Sequence, residues 1–297
     1  MNKIYTKQYP LHVMLIPGVI FALVFSYAPM VGIVIAFQRF FPVNGLFGSS
    51  WIGLDNFKFA FSLPDFSIVL SNTLSIASMK ILAGLIVPIF VALLLNEVRI
   101  HFLKRSYQTL IYLPHFLSWV ILGGILTDIL SLDGIINQLL HSVGVDRISF
   151  LSRNAWFPTV LIVSDVWKEF GFNTIVYLAA ITSVNPSLYE AAVIDGAGRR
   201  RQMWHITLPG MRTIIVLLAT LSLGNVLNAG FDQVFNLYNP AVYTSGDILD
   251  TFVYRMGMID FQYGLATAIG MFKSVIAMLL ISISYWTAYK FMNYRIF

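Results

Sequence analysis

The sequence predicts an all-α integral membrane protein with six transmembrane helices, built as one domain over residues 1–297. The first reason is composition, since 58% of the residues are hydrophobic and only 11% are charged, whereas soluble domains are roughly 45–50% apolar. The second is that apolar residues form six long segments, each longer than the roughly 20 residues that a helix needs to cross a bilayer. The third is that no internal repeat, low-complexity tract or linker divides the chain.

The first apolar segment covers residues 11–37 and has no charged residue before Arg39. It is longer than the roughly 7–15 residues of a signal-peptide core, and no small-residue cleavage site follows it, so we expect an uncleaved span. Five further spans are expected at residues 68–96, 107–130, 156–182, 212–237 and 264–292. Membrane lipid is therefore an expected partner of the chain.

Positive charges are divided unequally between the two sides of these spans. Eleven of the 19 Lys and Arg residues lie on the side of the termini and of residues 183–211, and five lie on the other side. Basic residues concentrate on the cytoplasmic side of membrane proteins, so we expect both termini and the 183–211 loop in the cytoplasm. The eleven are Lys3, Lys7, Arg99, Lys104, Arg105, Arg199, Arg200, Arg201, Arg212, Lys290 and Arg295, and the five are Arg39, Lys58, Arg147, Arg153 and Arg255. The net charge of +5 is modest and lies mainly on one side of the spans. That pattern fits membrane orientation better than nucleic-acid binding, so no nucleic-acid partner is expected.

Several kinds of chemical site are excluded, because the chain lacks the residues they need or does not have them at the required spacing. There is no cysteine, which excludes disulfides, thiolate metal sites and a cysteine nucleophile. The five histidines have no metal-binding spacing, and the glycines of the 264–274 stretch do not fit a phosphate loop. We therefore expect a non-catalytic chain that binds no metal and no cofactor.

The densest run of charge lies in the loop at 183–211, which has the start and stop signals of a short helix. Asn185 and Ser187 can both cap a helix, and Ser187 with Glu190 has the spacing of a capping box. Gly196 and Gly198 can end the helix in a left-handed turn. Such a charged helix and turn in a membrane chain indicates a docking surface for a soluble partner, although a simple connector between two spans is the alternative.

After this turn the loop continues with Arg199, Arg200, Arg201 and His205, and Pro209–Gly210 is expected to close it before the next span. The segments Glu190-Ala191-Ala192, Asp195-Gly196-Ala197-Gly198 and Ile206-x-Leu208-Pro209 resemble the EAA loop of permease subunits in bacterial ABC importers. The resemblance implies the type I importer permease fold and a coupling helix that sits in a cleft of a cytoplasmic ATPase subunit. It assigns coupling to Glu190, Ala191, Ala192, Asp195, Gly196, Ala197, Gly198, Arg199, Arg200, Leu208 and Pro209. The loop departs from the family at Trp204, where Phe is frequent, and at Thr213, where a further Pro is common.

Other segments resemble sugar permeases in particular. WIGLDNF at 51–57 and Ser71-Asn72-Thr73 look like the pattern that precedes the second span of such proteins, and residues 134–144 look like their short outer helix. YLPHFLSW at 112–119, YNPAVY at 238–243 and YGLATAIGMFKS at 263–274 resemble polysaccharide and lipoprotein-type permeases, which are similar to maltose permeases.

The resemblance also implies partners and a place in the cell. We expect a multi-pass protein of the bacterial cell membrane that imports an oligosaccharide delivered by an extracellular lipoprotein or periplasmic binding protein. Related importers pair two unlike permeases, so a heterodimer with a second permease is expected, together with two ATPase subunits. ATP and Mg would bind those ATPase subunits and not this chain.

Polar side chains inside the fourth and fifth spans are candidates for the pathway, since charge in a span is costly and usually functional. Lys168 can pair with Asp165, with Glu169 or with residues on other spans. Asn225, Asn228 and Asp232 share one face of a continuous helix. The candidate pathway residues are Trp167, Lys168, Glu169, Asn173, Tyr177, Asn225, Asn228, Asp232 and Gln233. The alternative is that these groups join helices to one another.

Lys80 and Lys273 are expected to be lone charges in the second and sixth spans, explained by an interior contact or by snorkelling. An ion-coupled secondary transporter is one alternative function, but it would need repeated halves and broken helices at the midplane. An ABC importer permease for a solute other than a sugar is another. An intramembrane enzyme would need a paired nucleophile and base or facing metal ligands.

Overall fold

The computed structural model describes residues 2–292, with side chains placed at 12–287, 289 and 290. Arg295, one of the basic residues used to predict the orientation, lies outside the described residues. The regular secondary structure of the described chain is helical apart from one pair of two-residue strands, β1 Gln38–Arg39 and β2 Ser50–Trp51. Its α-helices are α1 Asn2–Ala22, α2 Gly45–Gly48, α3 Asp55–Ser62, α4 Pro64–Glu97, α5 His101–Tyr112, α6 Trp119–Leu130, α7 Ile135–Ser142, α8 Phe157–Thr182, α9 Pro186–Ile194, α10 Arg199–Gln202, α11 Leu208–Leu223, α12 Phe231–Leu237, α13 Tyr243–Gly246, α14 Leu249–Tyr254 and α15 Tyr263–Met292. Between them lie 3₁₀ segments at Ala28–Phe37, Leu113–Phe116 and Pro240–Val242 and π-turns at Leu23–Tyr27, Met203–Thr207 and Arg255–Ile259.

Two compact units can be distinguished. The first comprises the described part of Met1–Leu63 together with Val253–Phe272. Here β1 and β2 pair antiparallel, with Gln38 opposite Trp51. Asn56 of the WIGLDNF segment fixes the start of this hairpin, because its Nδ2 donates to the carbonyl oxygens of Ala36 at 2.8 Å and Gln38 at 3.0 Å. The prediction of a single domain stays a prediction.

The second unit comprises Pro64–Phe252 and Lys273 onward, and it is organised around the contact between α4 and α8. One apolar cluster joins Ile76 of α4 and Leu161 of α8 to Val234 of α12. Another joins Leu93 of α4 and Ile181 of α8 to Met211 of α11. The main chains of α5 and α8 come very close at Gly171, where a Cβ atom would overlap the carbonyl group of Ile111. The packing therefore depends on a residue without a side chain at this crossing.

Five helical segments are long and apolar enough to cross a membrane, which agrees with most of the predicted spans. They are His12–Phe37, Pro64–Glu97, Trp119–Ser142, Arg199–Leu223 and Tyr263–Thr287. The predicted fourth span is α8, a continuous helix of 26 residues that carries Asp165, Lys168 and Glu169. The predicted short outer helix is α7, whose buried Asn137 donates to the carbonyl oxygens of Ser131 and Ile148.

The third predicted span is wrong as a single helix over 107–130. The first of its two helices, α5, begins earlier, at His101, and ends at Tyr112. Pro114 cannot donate the backbone hydrogen bond that an α-helix needs at this position, and the chain forms a 3₁₀ turn at Leu113–Phe116 that ends at the extended residue Leu117. A new helix, α6, then starts after Ser118, whose side chain accepts from the backbone N–H of Ile121 at 3.4 Å.

The fifth predicted span, 212–237, is also not one helix. Its helix already begins at Arg199, because a π-turn in which the N–H of Leu208 donates to the carbonyl of Met203 accommodates Pro209 within the helix. Pro209–Gly210 therefore does not close the loop as predicted. The helix ends at Leu223, and α12 starts only at Phe231, after Gly230 in the left-handed region at φ +89°. We call residues 224–230 the helix break.

Candidate functional site

A cavity of about 590 Å³ lies between α4, α8 and the helix break in the second unit. Its polar lining consists of Lys80, Asp165, Glu169, Asn173, Ser222, Asn225 and Asn228. Four of the nine predicted pathway residues, Glu169, Asn173, Asn225 and Asn228, are thus brought together. The cavity combines amide, hydroxyl and carboxylate groups, which are the groups that hydrogen-bond to hydroxyl-rich ligands.

The amides of this cavity are available to a ligand to different degrees. Among the residues that the structure describes, the side chains of Asn173 and Asn225 have no hydrogen-bond partner, and Asn225 is exposed. The Oδ1 of Asn228 accepts from the backbone N–H of Gly230 at 3.4 Å, so Asn228 also shapes the helix break. Asn173 and Asn225 are therefore the freest donors and acceptors of the cavity.

A network around Lys168 borders the cavity. Its Nζ donates to Glu169 Oε1 at 3.0 Å and to the carbonyl oxygen of His115 at 2.8 Å. Of the predicted partners, Lys168 therefore pairs with Glu169 and with a residue outside α8. Glu169 Oε2 lies 2.7 Å from His115 Nδ1, and the His115 ring stacks on Phe172 at 4.1 Å. Lys168 therefore supports Glu169 and does not line the cavity itself. His115 was not among the predicted site residues. The only signal for it in the sequence is that it lies in the YLPHFLSW segment, which resembles other permeases.

Lys80, predicted to be a lone charge in its span, has partners on three other elements, α8, the helix break and α12. Its Nζ lies 3.4 Å from Asp165 Oδ1, donates to the carbonyl oxygen of Ala229 at 2.6 Å and also donates to Gln233 Oε1. Lys273, the other predicted lone charge, donates to Asp250 Oδ1. Both lysines thus make an interior contact, one of the two predicted explanations, but their partners were not predicted, because partners distant in sequence leave no local signal.

The other predicted pathway residues lie away from this cavity. Gln233 is 0% exposed and donates to the carbonyl oxygen of Leu161, so it joins helices. Tyr177 is 1% exposed in the apolar cluster around Met211, and Trp167 lines a separate apolar hollow of about 260 Å³. Asp232 lies in the first turn of α12. Asn225 and Asn228 lie in the helix break, whereas Asp232 lies in the helix after it, so the prediction that the three share one face of a continuous helix is wrong.

The loop at 183–211 contains the predicted helix and turn. Asn185 caps α9 by accepting from the N–H of Ser187 at 3.0 Å, so the predicted capping box is not used. At the other end Gly196 has φ +75°, and the N–H of Ala197 donates to the carbonyl of Ala192 at 2.8 Å, a Schellman motif. Gly198 does not end α9 but precedes the next helix with an ordinary φ of −67°.

Side-chain contacts fix this turn against its surroundings. The hydroxyl of Tyr189 lies 3.0 Å from Thr207 Oγ1, and Gln202 Nε2 donates to the carbonyl oxygen of Ala197 at 2.8 Å. Arg199 forms an ion pair with Glu97 at the end of α4, with an N–O distance of 3.2 Å. The loop therefore holds a defined conformation between α4 and the helix that starts at Arg199.

The outer surface of the loop is basic and apolar. Ile194 at the end of α9 is 86% exposed, and Val193 and Trp204 are also exposed. Arg199, Arg200 and Arg201 line an open hollow with Trp204 and His205. Most residues of the predicted coupling set are exposed, whereas Ala192, Ala197 and Leu208 are half-buried. The sequence analysis did not single out Val193 or Ile194, although two apolar residues at the end of a charged segment are a visible signal.

Residues 84–296 match the family model described as binding-protein-dependent transport system inner membrane component. The chain belongs to this family. The permease is 45% identical over 290 residues to the polygalacturonan/rhamnogalacturonan transport system permease protein YteP of Bacillus subtilis (strain 168), covering 97% of this chain and 90% of that protein.

Solved structures place the permease among ABC importers. It is 38% identical, with a TM-score of 0.90, to a chain of a bacterial ABC transporter involved in the import of the acidic polysaccharide alginate, covering 97% of this chain and 98% of that one. For a chain of the alginate transporter in complex with an alginate pentasaccharide-bound periplasmic protein, the identity is 37% and the TM-score 0.87, with 96% of each chain covered. The predicted all-α type I importer permease fold is confirmed, while the roles assigned to individual loop and cavity residues stay predictions.

Proposed function

We propose that this permease forms half of the membrane pathway of an ATP-driven importer for an oligosaccharide or complex saccharide. The observation that carries the proposal is the 45% identity, over nearly the whole chain, to a polygalacturonan/rhamnogalacturonan permease. The cavity supports it, because its free amides lie beside carboxylates, and this combination suits the many hydroxyl groups of a saccharide. Asn173, Asn225 and Asn228 would bind the saccharide, with Glu169 held in place by Lys168.

Four other subunits complete the proposed importer. A binding protein outside the cell membrane delivers the saccharide, as the periplasmic protein in the related alginate complex suggests. A second, unlike permease forms the other half of the pathway, and two cytoplasmic ATPase subunits bind ATP and Mg. This chain itself performs no covalent chemistry and binds no cofactor.

The 183–211 loop is the proposed contact with the ATPase. The exposed side chains of Val193, Ile194 and Trp204 supply apolar area, and Arg200 and Arg201 supply charge. The Schellman turn at Gly196 sets the direction of α9, so the whole helix can enter a cleft as one rigid element. In this proposal Glu190, Ala191 and Asp195 lie at the contact.

Reconstitution tests the proposed function directly. Proteoliposomes that contain this chain, the partner permease and the ATPase should take up polygalacturonan or alginate oligosaccharides only with enclosed ATP and external binding protein. A matched preparation without the ATPase should show no uptake under an imposed ion gradient. Uptake driven by the gradient alone would support a secondary transporter, and uptake restricted to an amino acid would contradict the saccharide substrate.

The proposed orientation can be tested by labelling, because the natural chain contains no cysteine. We expect Arg200→Cys to react with a membrane-impermeant thiol reagent only when the cytoplasmic face is accessible, as in inverted vesicles. Asp146→Cys, in the loop between α7 and α8, is the matched control and should react in intact cells once any outer barrier has been permeabilised. Labelling of Arg200→Cys under that same condition would contradict both the topology and the ATPase contact.

The proposed saccharide contact at Asn225 has its own test. Asn225→Ala removes an amide that has no other partner among the described residues, so uptake should fall about 5–30-fold, equivalent to about 1–2 kcal/mol. Recovery of the assembled transporter should not change. Gln138→Ala, an exposed amide on α7, is the control and should transport normally. Normal uptake by Asn225→Ala together with a lower yield of complex would instead indicate that the amide joins subunits.

A further inference from the structure

The helix break leaves main-chain polar groups without helical hydrogen bonds directly after the apolar helix that ends at Leu223. The helix ends at Leu223, α12 begins at Phe231, and residues 228–230 have no helical conformation. Because Ala229 in the break is 0% exposed, other groups have to satisfy its main-chain carbonyl. The question is therefore which groups hold the break in its observed conformation.

Lys80 of α4 supplies the main part of the answer. Its ammonium group has three N–H donors. One donates to the carbonyl oxygen of Ala229 in the break at 2.6 Å, and another to Gln233 Oε1. The third direction is occupied by Asp165 Oδ1 at 3.4 Å. With a side chain that is only 7% exposed, Lys80 has no donor left over for another ligand.

Gly230 makes this approach of the ammonium group possible. At φ +89° it adopts a conformation that residues with side chains rarely take, and a Cβ atom there would lie 3.1 Å from Lys80 Nζ. Gln233 is itself fixed, because its Nε2 donates to Leu161 O at 2.8 Å and to Ser164 Oγ at 2.7 Å. The result is a fully bonded network that joins α4, α8, α12 and the break at one edge of the cavity.

We propose that Lys80 is a positioning residue, which holds the helix break in the conformation that presents Asn225 and Asn228 to the cavity. It acts through the main chain of Ala229 and not by touching the transported solute, because a solute would have to displace Ala229, Gln233 or Asp165 to reach the ammonium group. The importance of this position for saccharide transport rests on the proposed function. The contact of Lys80 with the helix break, which we call the clamp, does not rest on the proposed function, since it is a property of the permease alone.

The test measures the conformation of the break without using a substrate. Asn225→Cys places a thiol in the break, and Asn173→Cys places one on α8 across the same cavity. In the assembled transporter, adding Lys80→Met should change the rate of thiol alkylation at position 225 at least fivefold. The rate at position 173 should change less than twofold. Equal rates at position 225 with and without Lys80→Met would overturn the proposal.

Two further variants separate the clamp from a general loss of stability. Lys273→Met removes another lysine of a predicted span that pairs with a carboxylate, Asp250 of α14, and it should leave both alkylation rates unchanged. Lys80→Met with Asp165→Asn removes both charges, so no unpaired carboxylate remains to hinder folding. The altered rate at position 225 should persist in this double variant. Its return to the parent rate would show that the unpaired carboxylate, and not the lost clamp, had moved the break, and would overturn the proposal.

Because alkylation needs neither ATP nor saccharide, its outcome is independent of the proposed function. If Lys80→Met alters the alkylation rate at position 225 in a transporter that carries another solute, this inference stands and the proposed function fails. Saccharide uptake by a transporter whose alkylation is insensitive to Lys80→Met would leave the proposed function standing and remove the inference.

Discussion

Gly171→Ala is expected to prevent recovery of the folded transporter. The added methyl group would overlap the main-chain carbonyl of Ile111 and lie 3.2 Å from the backbone nitrogen of Tyr112. Overpacking in a core costs about 1–3 kcal/mol and occasionally more, and we expect about 3 kcal/mol or more because neither neighbour can rotate out of the way. The separation of α5 and α8 would have to increase, which would also displace His115 from Glu169.

Yield and melting temperature of the detergent-solubilised complex measure this effect. Gly124→Ala is the matched control, since it also adds one methyl group to a helical glycine, in α6, where no atom lies within 4 Å of the new Cβ. It should be recovered like the parent and melt at a similar temperature. A Gly171→Ala complex with the yield and melting temperature of the parent would show that the α5–α8 crossing relaxes easily.

Gly196→Leu should abolish uptake while the chain still inserts into the membrane. There is open space around Gly196, so the effect comes from the backbone, whose φ of +75° costs a branched residue about 1–2 kcal/mol. Relief of this strain would break the Schellman bonds and turn α9 away from its observed direction. Measurements of uptake and of the ATPase co-purified with the permease would report the loss.

A second strained glycine provides the control for this variant. Gly144 has φ +82° with open space around it, and it follows α7, far along the chain from the 183–211 loop. Gly144→Leu carries a similar backbone cost and should keep uptake within about twofold of the parent. Full uptake by Gly196→Leu, or equal losses in both variants, would contradict a specific coupling role for the turn.

The sequence predicts features that depend on neighbouring residues. The turn at Gly196 was predicted because an αL helix end needs only glycine and the preceding helix. Long apolar runs likewise located the first, second and sixth spans. The interruption at Pro114 had a local signal too, but the apolar character of 107–130 outweighed it in the prediction.

The helix break and the lysine pairs were missed for a different reason. Gly224 and Gly230 are visible in the sequence, yet isolated glycines are tolerated inside helices. What stabilises the break is Lys80, which precedes Ala229 by 149 residues. No periodicity reports such a contact, and the same is true of Lys273 with Asp250.

Only part of the candidate site was predicted. The sequence shows which residues of a span are polar, but it does not show which of them face the cavity. Asn173 and Tyr177 are one turn apart on α8, and both were predicted to line the pathway. Packing against α4 and α11 places the ring of Tyr177 in an apolar cluster and leaves the amide of Asn173 at the cavity. Which of two such neighbouring side chains faces the cavity is set by packing against elements that are distant in sequence.

The uninterrupted helix from Arg199 to Leu223 has a mechanical consequence. Its 25 residues begin at the turn after Gly196 and end where the helix break begins, so one rod spans about 37 Å between the two features. A tilt of about 5° around the loop end would carry the far end sideways by about 3 Å, roughly the length of a hydrogen bond. A tilt of the helix at the loop would therefore move its far end, next to Asn225, much further than the loop itself.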